Sequence, residues 1–289
     1  MRGLEELVEI MNKEYESVRF DIAVVYGDRH TGIEDAPSDI ILKKYIRDNK
    51  KDIKYVIDLG DGIDNPFMSD WPVDPKFKLS AQDELDMYAA HWNEINKLVP
   101  NATKVIIPGN HDSGRIIRSK NLKRGLASLR NLEYKNMLGE AFDQVGLDIS
   151  QFLVPDVKLE AEFIKGQKDI FTHGDPRLDP NIKGGACAVR RTAEMYPSKG
   201  NIFMGHGHWY QTYPRKFPGT QCVMLGMMAN IPEMEAHYVN FHPYDNGFGI
   251  IRYNRKEGIC LFDYVRIQNG LAIIDGKQYG GLHEKVKPK

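Results

Sequence analysis

Apolar residues follow two alternating rhythms along the chain. Leu4, Leu7, Val8, Ile10 and Met11 recur at helical spacing and predict a short amphipathic helix over 4–15. The apolar, β-prone run 21–26 reads as a buried strand. Helical spacing returns over 38–49 (Ile40, Ile41, Tyr45, Ile46), with Ser38 as candidate N-cap, and 55–59 reads as the next strand. This rhythm predicts strands joined by covering helices. Residues 65–79, rich in Pro, Asp and aromatics, predict an irregular excursion. Ser80 then starts a long helix to about Leu98, with Asp83 placed to favour its N-terminus and an apolar stripe (Leu85, Tyr88, Trp92, Ile95, Leu98) that reads as a core face. A strand over 104–107 runs directly into Pro108-Gly109-Asn110-His111. Residues 114–168 read as mixed and mostly helical. Strands over 169–172 and 202–204 and a helix over 190–195 follow, then a strand-rich end at 221–225, 248–253, 259–267 and 271–274.

At 289 residues and 42% hydrophobic content the chain can bury a large core, and with no repeat or Ser/Gly linker it reads as a single domain, 1–289, with inserted loops at about 65–79 and 114–168. Lys+Arg 39 against Asp+Glu 40 gives a net charge of −1, which argues against a chain-wide basic coat for nucleic acid. Cys187, Cys222 and Cys260 show no CxxC spacing and point to buried thiols in a reducing compartment. The N-terminus is too charged for a signal peptide, and no apolar run approaches the ~20 residues of a membrane span. A cytoplasmic protein with no membrane partner is expected.

Five segments then change the picture: Gly27-Asp28-Arg29-His30, Gly60-Asp61-Gly62-Ile63-Asp64, Gly109-Asn110-His111-Asp112, His173-Gly174-Asp175 and Gly205-His206-Gly207-His208. Each follows a β-prone run, which puts polar side chains at the C-terminal ends of strands, where α/β sheets hold their ligands. Asp, Asn and His without thiolate suit Mn²⁺, Fe or Zn²⁺. Two divalent ions ~3.5–4 Å apart need a bridging carboxylate.

In this order the five segments resemble the signature of the calcineurin-like metallophosphoesterase superfamily: DxH, GDxxD, GNH(D/E), a His after a strand, and GHxH. The resemblance spans Asp28 to His208. It implies an α/β (α+β) fold of two stacked mixed β-sheets flanked by helices, a four-layer αββα sandwich. It also implies a dinuclear-metal phosphoesterase, a hydrolase acting through metal-activated hydroxide. Asp28, His30, Asp61 and His208 would hold one ion. Asp61, Asn110, His173 and His206 would hold the other, Asp61 bridging. The ions would be Mn²⁺ first, with Fe, Zn²⁺ or Ni²⁺ as alternatives. His111 would protonate the leaving group, oriented by Asp64.

The substrate is less constrained. Arg115, Arg118, Lys120, Lys123, Arg124, Arg130 and Lys135 make 114–135 basic, suited to nucleic acid or to a solvated helical face. Arg190 and Arg191 could clamp a phosphate, or face solvent. Lys183-Gly184-Gly185-Ala186 reads as a rim loop. Trp209-Tyr210 could stack on a base or pack a wall. Asp112 reads as a helix N-cap, Arg29 as exposed or phosphate-binding, and His91, His237, His242 and His283 as structural or surface residues. Asn65-Pro66 after Asp64, and Asp112 in place of Glu, depart from protein Ser/Thr phosphatases. A phosphodiesterase or nuclease acting on nucleic acid or a nucleotide is therefore expected. A phosphomonoesterase, including a protein phosphatase, and a non-catalytic metal-dependent adaptor are the alternatives.

Overall fold

Two β-sheets stacked face to face form the middle of the molecule, and helices cover their outer faces. The structure, a computed structural model, describes residues 19–69, 77–122, 129–174, 186–238 and 243–281. The expected helix over 4–15, the loop at Lys183, and His242 and His283 lie outside them.

The first sheet has the order β11-β10-β1-β2-β3-β4. Its strands β1 (Asp21–Tyr26), β2 (Ile53–Asp58), β3 (Thr103–Ile106) and β4 (Phe152–Leu153) are parallel, while β10 (Asn246–Asn254) and β11 (Ile259–Ile267) add an antiparallel hairpin beside β1. The second sheet has the order β5-β6-β7-β9-β8. Here β6 (Gln167–Thr172), β7 (Ile202–Met204) and β9 (Gln221–Met224) are parallel, flanked by antiparallel β5 (Lys158–Ile164) and β8 (Gln211–Pro214). A hairpin of β12 (Leu271–Ile274) and β13 (Lys277–Gly280) completes the strands.

The alternation of side chains along each strand builds the layers. In β1, Ala23 and Val25 face the second sheet and meet Phe171, Phe203 and Val223 in a core between the sheets. Ile22, Val24 and Tyr26 face the other way, onto α1 (Ala36–Asp48), α2 (Ala81–Leu98) and α4 (Tyr134–Gln144). On the far side of the second sheet, Ile170, Met204 and Met224 pack against Val189 and Ala193 of α5 (Ala186–Met195). This is the four-layer αββα arrangement. No helix among the described residues is long and apolar enough to cross a membrane.

Two local readings differ from the sequence expectation, and one agrees. Asp35, not Ser38, caps α1, accepting the Ser38 N–H at 3.0 Å ahead of an early Pro37. Ser80 and Asp83 do form the reciprocal box that starts α2. The stretch 114–168 holds α3 (Arg115–Leu122) and α4, but its second half supplies β4 and the edge strand β5. In β5 Leu159, Ala161 and Phe163 meet the core while Lys158, Glu160 and Glu162 face outward, a one-sided pattern that dilutes the apolar signal.

Candidate metal centre

The parallel strands of both sheets deliver their C-terminal ends to one edge. Asp28 and His30 follow β1, Asp61 and Asp64 follow β2, Asn110 and His111 follow β3, His173 follows β6, and His206 and His208 follow β7. The first two loops run side by side: Asp28 N–H donates to Gly60 O (2.8 Å), His30 N–H to Asp61 O (2.9 Å) and Thr31 N–H to Gly62 O (3.0 Å). Asp112 ties in the third, accepting the N–H groups of Gly109 at 2.9 Å and Ile63 at 3.0 Å. It therefore clamps two site loops rather than serving as the N-cap expected from sequence.

Asp28, His30, Asp61, His206 and His208 all have left-handed backbones, with φ between 46° and 71°. That region costs a non-glycine residue on the order of 1–3 kcal/mol and concentrates at functional sites. A scaffold that holds five such residues within one cluster spends stability on aiming their side chains.

The ligating atoms form overlapping groups. Asp28, His30, Asp61 and His208 can hold one ion, and Asp61, His173 and His206 can contribute to another. Asp61 belongs to both. Asn110 joins the second, its Oδ1 2.9 Å from His173 Nε2.

Hydrogen bonding settles which nitrogens face the cluster. His173 Nδ1 donates to Leu59 O (3.0 Å), so in the neutral ring Nε2 carries a lone pair. That lone pair looks at Asn110 Oδ1 and, at 3.1 Å, at Asp61 Oδ2, a buried oxygen without a hydrogen bond. Three acceptors facing one another need a positive charge between them, and the donor set fits a divalent cation. Burial pulls the His173 imidazole down, yet the Asp61 charge outweighs it and pushes the group up to about 10. A proton there does part of what a cation would do. His206 goes the other way, pulled down to about 4 by burial and then by the positive His173, which leaves its lone pair free.

Asp64 is almost wholly enclosed. Its Oδ1 lies 2.9 Å from His30 Nδ1 and 2.8 Å from His111 Nδ1. Burial pushes its carboxyl up, but hydrogen bonds from His111 and His30 overcome this and hold it well below the usual carboxylate range. An ionised carboxylate only accepts, so both rings carry their proton on Nδ1 and turn Nε2 into the site. His30 Nε2 thus meets the metal group, and this carboxylate–histidine support is common behind metal ligands. His111 Nε2 sits 3.9 Å from Asp61 Oδ2.

Arg115, one helical turn after His111, reaches back over this pair. Its Nη1 donates to Asp64 O, and its Nη2 lies 3.3 Å from His111 Nε2. Arg118 and Arg191 are exposed on their helices. Arg190 pairs with Glu194 of its own helix at 2.9 Å. Tyr210 stacks on Tyr264 (4.1 Å between ring centroids), so it packs a wall. Arg29 is buried and turned from the cluster toward Thr31, Glu34 and Asp39. His91 is buried as well, its Nε2 3.1 Å from Tyr26 OH. Glu84 was not singled out by sequence: from the first turn of α2 it accepts the N–H groups of Asp64 (2.7 Å) and Asn65 (2.8 Å).

No protein-family model and no curated protein matches the chain. Solved structures do. A hypothetical protein PH1004 of Pyrococcus horikoshii OT3 matches 86% of this chain and 89% of its own at 12% identity and TM-score 0.42. GAP50, described as the anchor in the inner membrane complex of Plasmodium, matches 90% of this chain and 88% of its own at 10% identity and TM-score 0.38. A phosphatase of Mycoplasma pneumoniae matches 86% of this chain and 94% of its own at 12% identity and TM-score 0.37. At these scores none of the three bears on the activity of this chain.

Proposed function

We propose that the protein is a dinuclear-metal phosphoesterase, and that it cleaves phosphodiesters of a nucleic acid or nucleotide. The observation that carries this reading is the sharing of buried Asp61 between two donor groups, with an oxygen left free of hydrogen bonds. Asp28, His30, Asp61 and His208 would hold one ion, and Asp61, Asn110, His173 and His206 the other. When bound, such ions supply Lewis acidity toward phosphate oxygens and a water made nucleophilic near neutral pH.

The chain's own residues supply the rest. His111, fixed through Nδ1 on Asp64, presents Nε2 to the site and protonates the departing alkoxide. Arg115 brings a guanidinium to the same edge and binds a non-bridging oxygen. Arg29, by contrast, is turned away toward Thr31, Glu34 and Asp39. Of the basic residues beyond Arg115, Arg118 and Lys135 are exposed and would meet a polynucleotide backbone, while Lys123 and Arg124 lie outside the described residues.

Purified protein assayed with Mn²⁺ on bis-p-nitrophenyl phosphate and on p-nitrophenyl phosphate tests the reading. Faster metal-dependent release from the diester is expected. A preference for the monoester would move the assignment to a phosphatase, and no turnover of either would leave a metal-dependent adaptor. His111→Ala should lose turnover while retaining metal, whereas Asp61→Ala should lose both.

A further inference from the structure

One face of α2 carries polar groups at i, i+4 and i+7, and each meets a strand end or loop of the site edge. Tyr88 OH donates to Asp58 Oδ2 at 2.7 Å, and Asp58 Oδ1 in turn accepts the Gly60 N–H at 2.9 Å. His91 contacts Tyr26 at the end of β1. Glu84, fully buried, reaches furthest into the site. A single oxygen, Oε2, accepts the successive N–H groups of Asp64 and Asn65.

The segment that Glu84 holds is gripped from other sides too. Arg115 donates to the Asp64 carbonyl, the Asn65 side chain donates to His111 O at 3.3 Å, and Asn65 itself is left-handed with φ 50°. Asp64 and Asn65 have no regular secondary structure to fix them, so the paired bonds from their N–H groups to Glu84 decide where the Asp64 carboxylate points. Burying a carboxylate for this purpose is costly, and burial lifts Glu84 to about 8 against the pull of the two N–H groups. Packing alone would be served better by an apolar residue at this position.

We propose that Glu84 is a positioning residue for proton transfer: by anchoring the Asp64–Asn65 backbone it sets the point at which Asp64 receives the His111 Nδ1–H. This rests on the phosphoesterase reading for its catalytic consequence and on geometry alone for its structural one.

The test compares Glu84→Ala with Glu84→Gln in the full chain, because glutamine keeps an acceptor oxygen at the same reach and removes only the titratable group. In proton NMR of ¹⁵N-histidine-labelled, metal-free protein, the His111 Nδ1–H resonance, assigned by its loss in His111→Ala, should persist in the wild type and in Glu84→Gln. It should vanish by exchange with water in Glu84→Ala. On Mn²⁺-loaded protein, the ratio of turnover on an aryl diester to turnover on an alkyl diester should rise about tenfold or more in Glu84→Ala, because only the poor leaving group needs the proton. Glutamine should restore the ratio, with metal content equal in all three. If alanine fails to fold, Glu84→Asp, one methylene shorter, carries the same expectations. A retained resonance with an unchanged leaving-group ratio in the shortened variant overturns the proposal. Wild-type protein inactive on every phosphate ester would overturn the phosphoesterase reading instead, and the resonance would still decide the role of Glu84.

Discussion

Asp64 Oδ1 lies 2.8 Å from His111 Nδ1, and the same oxygen lies 2.9 Å from His30 Nδ1. One carboxylate therefore orients a candidate metal ligand and the candidate acid together. The two functions cannot be tuned separately at this residue.

Asp64→Asn should expose that coupling. An amide oxygen accepts from one ring, but the charge that holds both is gone. Turnover on an alkyl diester is expected to fall about 10²–10⁴-fold through His111. Metal affinity should weaken about 10–100-fold through His30. Kinetics at saturating Mn²⁺, alongside metal content after dialysis, read the two losses separately. Loss of one without the other would show that His111 and His30 do not depend on a common anchor.

Gly109 brings the third loop against the shared carboxylate. A Cβ built there would stand 2.0 Å from Asp61 Oδ1 and 2.3 Å from Asp61 N, with no flexible neighbour to give way. Gly109→Ala is expected to push Asp61 out of both donor groups, lower bound metal at least about tenfold, and cost about 1–3 kcal/mol of stability. Metal analysis after dialysis and a urea titration check both. Wild-type metal content in the variant would mean that Asp61 is not the shared ligand.

Much of the site edge was legible because each candidate ligand stands shortly after a strand, where a continuous apolar run announces the position. His173 and His206 need no information beyond their own strands and a neighbouring glycine. Glu84 was not legible. An acid in the first turn of a helix is what the helix dipole favours anyway, so nothing local distinguishes it from a solvated neighbour such as Asp83. Arg115 and Arg190 carried equal weight as sequence. They part because Arg115 lies one turn past His111, while Arg190 has Glu194 one turn away on an exposed face. In the fold, edge strand β5 was hidden by its solvent-facing Lys and Glu, whereas β1, buried on both faces, was plain.

Asp169, at the opposite end of β6 from His173, makes stability depend on pH. Burial lifts its carboxyl to about 6, against the Asn201 N–H it accepts at 2.6 Å. In the unfolded chain the group titrates near 3.9. Between about pH 4 and pH 6 the native state keeps a proton that the unfolded state has lost, so this contribution falls as pH rises, by on the order of 3 kcal/mol in all. Asp169→Asn keeps the acceptor oxygen and removes the titration. The difference in urea midpoint between variant and wild type should therefore grow in favour of the variant from pH 4 to 6 and level off above. A constant difference across that window would rule out Asp169 as the group responsible.

Arg115 and the acid form of His111 compete for the same space. With Nδ1–H committed to Asp64, His111 Nε2 accepts from Arg115 Nη2 only while it carries a lone pair. A protonated Nε2 would meet the guanidinium donor to donor. Arg115 must therefore turn from His111 toward the substrate before the proton can be used, and a phosphate oxygen gives it reason to do so. Arg115→Met removes that phosphate contact together with its bond to the Asp64 carbonyl. The expected result is a KM raised about tenfold or more for diesters, with the loss shared by aryl and alkyl leaving groups, since phosphate binding is common to both. Arg115→Lys should recover only part of it, because a lysine lacks the forked geometry that reaches Asp64 O and His111 Nε2 together. A loss confined to alkyl substrates would instead place Arg115 with Asp64, as a support for His111 and not a contact to phosphate.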